Sequence, residues 1–238
     1  MTASPSPDLS HVDAWVFDLD NTLYPAECNL FGQIDARMAA FIERLLGCDA
    51  AEARRLQKGY YVKYGTTMSG LMREHGVAPR AFLDYVHEID LSVVAANEAL
   101  ASAIAALPGK RYIFTNGSVK HAENVVERLG VSGLFDAVFD IEAADYTPKP
   151  HRQTYERFLA AHAVAPKRAA MFEDLAHNLQ SAYDLGMTTV LVTSRAEWIA
   201  DEPADKRPAL PGDRHAHVHH VTDDLAGFLG AAVVAAAA

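Results

Sequence analysis

Segments that read as strands lie on both sides of an almost unbroken helical stretch, and that interruption restricts the fold of these 238 residues more than any other feature. On the near side stands one short apolar run, Trp15-Val16-Phe17, whose β-branched and aromatic residues suit a strand buried on both faces. On the far side, from Arg111, strand-like and helix-like patterns alternate, which argues for βαβ units and a parallel sheet. The economical reading is a doubly wound α/β core formed by residues 11–24 and 108–230. An all-helical second lobe, residues 25–107, is inserted after the first strand. Residues 1–10, with Pro5 and Pro7 among small polar residues, read as a disordered tail, and the Ala-rich residues 231–238 are expected to fray.

Within the inserted stretch, Ile34, Met38, Phe41, Ile42 and Leu45 recur at helical spacing, with Gly47 as a stop. Asp49 and Glu52 form a capping-box pattern for a helix from Ala50 to Tyr64, ended by Gly65. Further helices are expected over Thr67 to His75, Arg80 to Glu88, and from the Asn97 cap to the break at Pro108-Gly109. In the second part, strands are expected at Tyr112 to Phe114, Ala137 to Phe139, Ala169 to Phe172, Thr189 to Val192 and Val218 to Val221. The helices between them run from Ser118 to Leu129, from Pro150 at a first helical position, and from Ala176 to Leu185, with a last one over Asp223 to Leu229.

Composition narrows the partners. Half of the residues are hydrophobic and 22% are charged, a globular balance. A formal net charge of -10 repels phosphate backbones and anionic lipid, so neither nucleic acid polymers nor membrane surfaces are expected partners. Cys28 and Cys48 offer neither a disulfide framework nor zinc spacing and read as cytosolic thiols. Neither a signal peptide nor a membrane span is expected, and the chain reads as a cytoplasmic protein. Oligomeric state has no sequence marker.

The first strand ends in Asp18 and Asp20, two acids one residue apart. Taken alone they need be no more than turn residues, because Asp and Asn commonly end strands by bonding backbone amides. In an open parallel sheet, however, the ligand site lies outside the carboxyl ends of the strands. Two more strands end there in polar residues: Thr115 to Ser118, and Glu173-Asp174. Lys149 adds a cation from a loop. Oxygen ligands of this kind suit Mg²⁺. Carboxylates, a hydroxyl, a lysine and free helix N-terminal amides are what metal-assisted phosphoryl transfer requires.

Asp18-Leu19-Asp20-Asn21-Thr22-Leu23, Phe114-Thr115-Asn116, Lys149 within Thr147-Pro148-Lys149-Pro150, and Phe172-Glu173-Asp174 with Asn178 occur in the order of the four motifs of the haloacid dehalogenase superfamily. The chain resembles that superfamily's aspartate-nucleophile phosphatases, and the helical insertion looks like its cap of the first type. Three stretches resemble its pyrimidine 5′-nucleotidase branch: the opening motif continued through Tyr24-Pro25, Tyr60 to Thr67, and Phe172 to Leu179. The resemblance implies Asp18 as nucleophile and Asp20 as the acid that then activates water. It implies Asp18, Asp174 and the Asp20 carbonyl on Mg²⁺, Glu173 in the outer shell, and Asn178 as a hydrogen-bonding support. Thr115, with the amides of Leu19 and Asn116, would hold the phosphoryl oxygens, and Lys149 would neutralise charge. Tyr24, Lys63, Thr67 and Arg73 are candidate substrate contacts.

The expected activity is Mg²⁺-dependent hydrolysis of a small phosphomonoester, foremost a pyrimidine nucleoside 5′-monophosphate. Alternatives are a phosphatase or phosphomutase for another metabolite such as a sugar phosphate or phosphoglycolate, and, further off, a non-catalytic phosphoryl-accepting signalling module. A halide-releasing dehalogenase needs neither Asp20 nor a metal. Ser118 reads first as a helix cap. His215, His217, His219 and His220 lie away from the other motifs and are not expected to form a metal site.

Overall fold

A computed structural model describes residues 8–201 and 207–237. Six strands form one parallel sheet in the order β3-β2-β1-β4-β5-β6. They are β1 (Ala14–Phe17), β2 (Lys110–Phe114), β3 (Ala137–Phe139), β4 (Ala169–Glu173), β5 (Thr188–Val192) and β6 (His220–Thr222). The chain leaves β1, builds outward through β2 and β3, then returns to the other side of β1 for β4. The switch point therefore lies at β1, and in such sheets the crevice for a ligand opens there.

The sheet is Rossmann-like and covered on both faces, which explains why its strands read as continuous apolar runs. Alternation along β1 sends Trp15 and Phe17 to one face and Val16 to the other. The first face packs against α5 (Glu98–Ala105), α6 (Val119–Leu129) and α9 (Leu225–Ala237). The second packs against α7 (Arg152–Ala161) and α8 (Ala176–Asp184). Phe17 and Phe172, stacked at 4.7 Å on neighbouring strands, fix the register where the site begins.

Four helices, α1 (Leu30–Leu46), α2 (Ala50–Tyr64), α3 (Thr67–His75) and α4 (Pro79–Val86), surround a separate cluster that includes Ile34, Ile42, Met68, Leu71 and Phe82. Asp49 caps α2 by accepting the Glu52 amide at 2.9 Å, as its spacing predicts. The helical stretch is not uniform in its packing. Leu100 and Ile104 of α5, with Leu107, belong to the sheet's cluster. In the other direction, Ile141, just past β3, is buried in the lobe's cluster.

Gly109 joins this stretch to β2 at φ +81°, and a Cβ there would lie 2.1 Å from the Asp13 carbonyl oxygen. Gly109→Ala combines a disfavoured backbone with a clash against backbone, and should cost about 2 kcal/mol or more. A clearly lowered thermal midpoint would show it, and an unchanged one would refute it.

Several boundaries differ from expectation. Pro150 is not the first residue of α7. The His151 amide bonds the Pro148 carbonyl at 3.0 Å, so the chain is still turning there, and helix begins at Arg152. The last strand lies at His220–Thr222, because Val190 of β5 pairs with His220. The last helix runs on to Ala237, in keeping with alanine's helix propensity. Of the expected tail, residues 1–7 lie outside the described residues, while Leu9 is buried in the sheet's cluster. Among the described residues no helix is long and apolar enough to cross a membrane.

Candidate active site

The carboxyl ends of β1, β2 and β4 place Asp18, Thr115, Glu173 and Asp174 on one edge of the sheet, all of them buried. The Asp18 amide donates to the Phe172 carbonyl at 2.9 Å, so the ladder between β1 and β4 extends to the first acid itself. Lys149 reaches the same point from the loop before α7 and is only 2% exposed. Its ammonium donates to Asp18 Oδ1 at 2.6 Å, to Glu173 Oε2 at 2.7 Å and to the Phe114 carbonyl at 2.8 Å. These three bonds use all three of its protons. Lys149 thus acts on anything bound nearby as a fixed charge.

Carboxylates outnumber cations here. Asp18, Glu173 and Asp174 each bring an oxygen within 4.8 Å of the others. Burial, then the charge of Glu173, pushes the Asp18 carboxyl up to about 8, and Asp174 is raised by burial, then by the charges of Glu173 and Asp18. Burial alone would lower Lys149, but the charges of Asp18 and Glu173 outweigh it and raise the ammonium. Nearby, the Oδ1 atoms of Asn21 and Asn178 are buried without partners. Orphaned amide oxygens are costly unless a ligand or water serves them. An all-oxygen set with surplus negative charge fits a hard divalent cation.

Asp20 lies in a different setting, held by side chains of its own turn and of α6. Its Oδ1 accepts from Tyr24 Oη at 2.7 Å and from His121 Nε2 at 2.8 Å. A carboxylate can only accept, so Nε2 carries the proton. Burial would raise the Asp20 carboxyl, but the charge and bond of His121, with the bond from Tyr24, more than offset this and hold it below its usual value. The ring of His121, in the first turn of α6, stacks on His87 at 4.3 Å and 6°. His87 caps the C-terminus of α4 in the lobe, and its Nδ1 pairs with Ser118 Oγ at 3.1 Å. Burial pushes the His87 imidazole down to about 3, so it is neutral at physiological pH.

The other anticipated residues divide. Thr115 Oγ1 accepts the Gly117 amide at 2.9 Å, which leaves its own proton to donate. Asn116 Oδ1 accepts the Lys149 amide at 2.8 Å and so holds the lysine's loop in place. Leu19 is buried at the turn after Asp18. Ser118 caps α6 through the His121 amide, as expected. Thr67 lines a cavity of about 420 Å³ between the lobe and the sheet edge.

Tyr24, Lys63 and Arg73 do not line that cavity. Tyr24 is fully buried beneath Asp20. Lys63 is exposed and paired with Glu74 at 3.0 Å, and Arg73 lies over the Tyr64 ring on the lobe's outside. Trp198 and Pro208, from the loop after β5, do reach the cavity. Among the described residues, the histidines at 215–220 form no metal cluster with other candidate ligands. His217 instead contacts the Ala176 carbonyl, and His219 contacts Thr189.

The sequence patterns do not point to His87, His121 or Gln57. The one available signal was that His121 stands three residues after the Ser118 cap, in the helix turn nearest the strand end. Gln57 is 1% exposed and lines the cavity. Its Nε2 donates to the backbone and side-chain oxygens of Asp35, at 3.2 and 2.6 Å. Two acceptors on one side fix the amide's orientation, so the unpaired buried atom is the acceptor Oε1.

The chain is similar to several known proteins. Phosphate metabolism protein 8 of Saccharomyces cerevisiae is 28% identical over 206 residues, 79% of this chain, which spans 63% of that protein's length. Enolase-phosphatase E1 of Frankia alni is 35% identical over 88 residues, 36% of either chain. Among solved structures, CbbY from Rhodobacter sphaeroides, in complex with phosphate, superposes with a TM-score of 0.61 at 18% identity, over 90% of this chain and 95% of that one. At that identity the likeness speaks for the fold alone. The pattern of the haloacid dehalogenase-like hydrolases matches residues 12–186, most of the chain, and the protein belongs to that family of hydrolases.

Proposed function

We propose that the protein is a Mg²⁺-dependent phosphomonoester hydrolase working through a phosphorylated Asp18. The observation that carries this reading is the buried cluster of three carboxylates held against a single ammonium, with a hydroxyl donor from Thr115 beside it. Asp18 and Asp174 would hold the cation with the Asp20 carbonyl, Glu173 through water. Bound there, Mg²⁺ keeps the carboxylates ionised and offsets the charge of an incoming phosphate. Asp18 attacks phosphorus, and Thr115 with the Leu19 and Asn116 amides holds the phosphoryl oxygens. Asp20 gives a proton to the leaving alkoxide and takes one from the attacking water. Its depressed pKa and its bonds through Oδ1 suit the second of these duties, and for the first it has to take up a proton as the substrate binds. A dehalogenase has no use for this second acid.

Helices α1 to α4 form the cap in this reading, and the substrate's leaving group occupies the cavity beneath them. A pyrimidine nucleoside 5′-monophosphate is the favoured substrate. Phe31, Met38 and Phe82 supply apolar walls for a planar base. Gln57, whose Oε1 has no partner, lines the same cavity and brings a polar group to it. Purified protein should therefore release inorganic phosphate from uridine or cytidine monophosphate with Mg²⁺, and a chelator should stop it. Inactivity on these together with sugar phosphates and phosphoglycolate would sink the phosphatase reading. Activity confined to the non-nucleotide substrates would sink only the choice of substrate, and an isomerised phosphate without free phosphate would identify a mutase.

A further inference from the structure

The stacked histidines span the two lobes, one carried by each, and end on the Asp20 carboxylate, which lines the cavity. An Asp carboxylate rotates freely about its last torsion, so a reacting oxygen is aimed only if other bonds fix the group. Here both fixed bonds fall on Oδ1, from Tyr24 and His121, which leaves Oδ2 for the reacting atom. Tyr24 comes from the same turn as Asp20, whereas His121 comes from another element. The imidazole can hold Oδ1 only while its ring keeps one plane, and the parallel ring of His87 4.3 Å away blocks its rotation. His87 is itself fixed by Ser118 Oγ at 3.1 Å and belongs to the end of α4. The device thus has one part that touches the acid and one part that the lobe carries.

We propose that His121 and His87 are positioning residues that aim the Asp20 carboxylate and make its aim depend on the seating of the helical lobe. The proposal rests on the reading of Asp20 as acid and base. Neither histidine touches the phosphoryl group; each acts through the next. Loosening Asp20 should slow turnover while leaving the phosphate cradle of Thr115, Asn116 and Lys149 intact. The signature is therefore a fall in kcat without a matching rise in KM.

The test uses the full chain with Mg²⁺ and uridine monophosphate, or the best substrate of the panel. His121→Phe keeps a ring for the stack but loses the donor, and should lower kcat ten- to a hundredfold with KM within about twofold. His121→Gln places an amide nitrogen close to the position of Nε2 and should recover most of that loss. His87→Ala should lower kcat about three- to tenfold, and His87→Phe should restore it by restoring the stack. Circular dichroism and thermal melting check that each variant folds. If one at position 121 does not, the His87 pair decides alone. Unchanged kcat in His121→Phe, or equal losses in His121→Phe and His121→Gln, would overturn the proposal. So would equal kcat values for His87→Ala and His87→Phe. Asp20→Asn serves as the control. If it remains active, the reading of Asp20 is at fault; if it is inactive while both histidines prove dispensable, only the positioning proposal falls.

Discussion

Asp18→Asn should remove turnover almost entirely, by about 10⁴-fold or more in kcat, while making the metal-free protein more stable. The two effects have separate causes. Asparagine keeps the shape of the side chain and an acceptor for the Lys149 ammonium, now 2.6 Å from Oδ1, but it offers no anionic oxygen to attack phosphorus. The stabilisation follows because the replaced carboxyl is buried beside Glu173 and raised to about 8. Its ionised form is costly in the fold. The measurements are phosphate release at saturating substrate and thermal melts in chelator at pH 8. Activity within about tenfold of the parent would remove Asp18 as nucleophile, whatever the melt shows.

Metal removal should carry a pH signature. In chelator, Asp18 titrates at about 8 in the folded protein against an ordinary 3.8, and Asp174 is raised in the same sense. Between those values the folded chain holds protons that the unfolded chain has released, so stability falls as pH rises. His87 works the other way. Held at about 3 against an ordinary 6.5, it adds stability as pH rises, but that gain is complete near 6.5. The decline is therefore cleanest between pH 6.5 and 8, on the order of 2 kcal/mol for Asp18 alone at about 1.4 kcal/mol per pH unit. For a chain of this size that is a midpoint lower by about 5 °C. If the cluster holds Mg²⁺ as proposed, the cation would bind the ionised carboxylates and should raise the midpoint more at pH 8 than at pH 6.5. A metal-free midpoint that is flat or rising over this range would contradict the account. Equal stabilisation by Mg²⁺ at both pH values would do so too.

The parts of the fold that depend on local chemistry were legible in the residues themselves. Trp15-Val16-Phe17 could be assigned to a buried strand because both of its faces are apolar, and Asp49 to a cap because its partner Glu52 stands three residues on. The acids at the ends of β1 and β4 could be brought together because strands of a parallel sheet end on one edge. What resisted reading depends on the rotation of helices about their axes and on distant partners. Lys63 lies beside the aromatic stripe of α2, yet its side chain turns outward to Glu74 on α3. Gln57, on the same helix, faces inward and is held by Asp35 of α1. The start of α7 and the register of β6 are not set locally, because a turn at Pro148 and the pairing of His220 with Val190 decide them. His87 and His121 lie 34 residues apart in the chain, and nothing local in either predicts the other.

The burial of Ile141 among the lobe's helices bears on attempts to graft this lobe onto another hydrolase. Ile141 and the partly buried Tyr146 come from the turn after β3 yet complete the lobe's apolar cluster, and Glu142 beside them pairs with Arg80 of α4. A transplant cut at the two ends of the inserted helices would leave that cluster with an open socket. Such a chimera has to carry the 141–146 turn along with the lobe, as a third, sequence-distant piece of the same module.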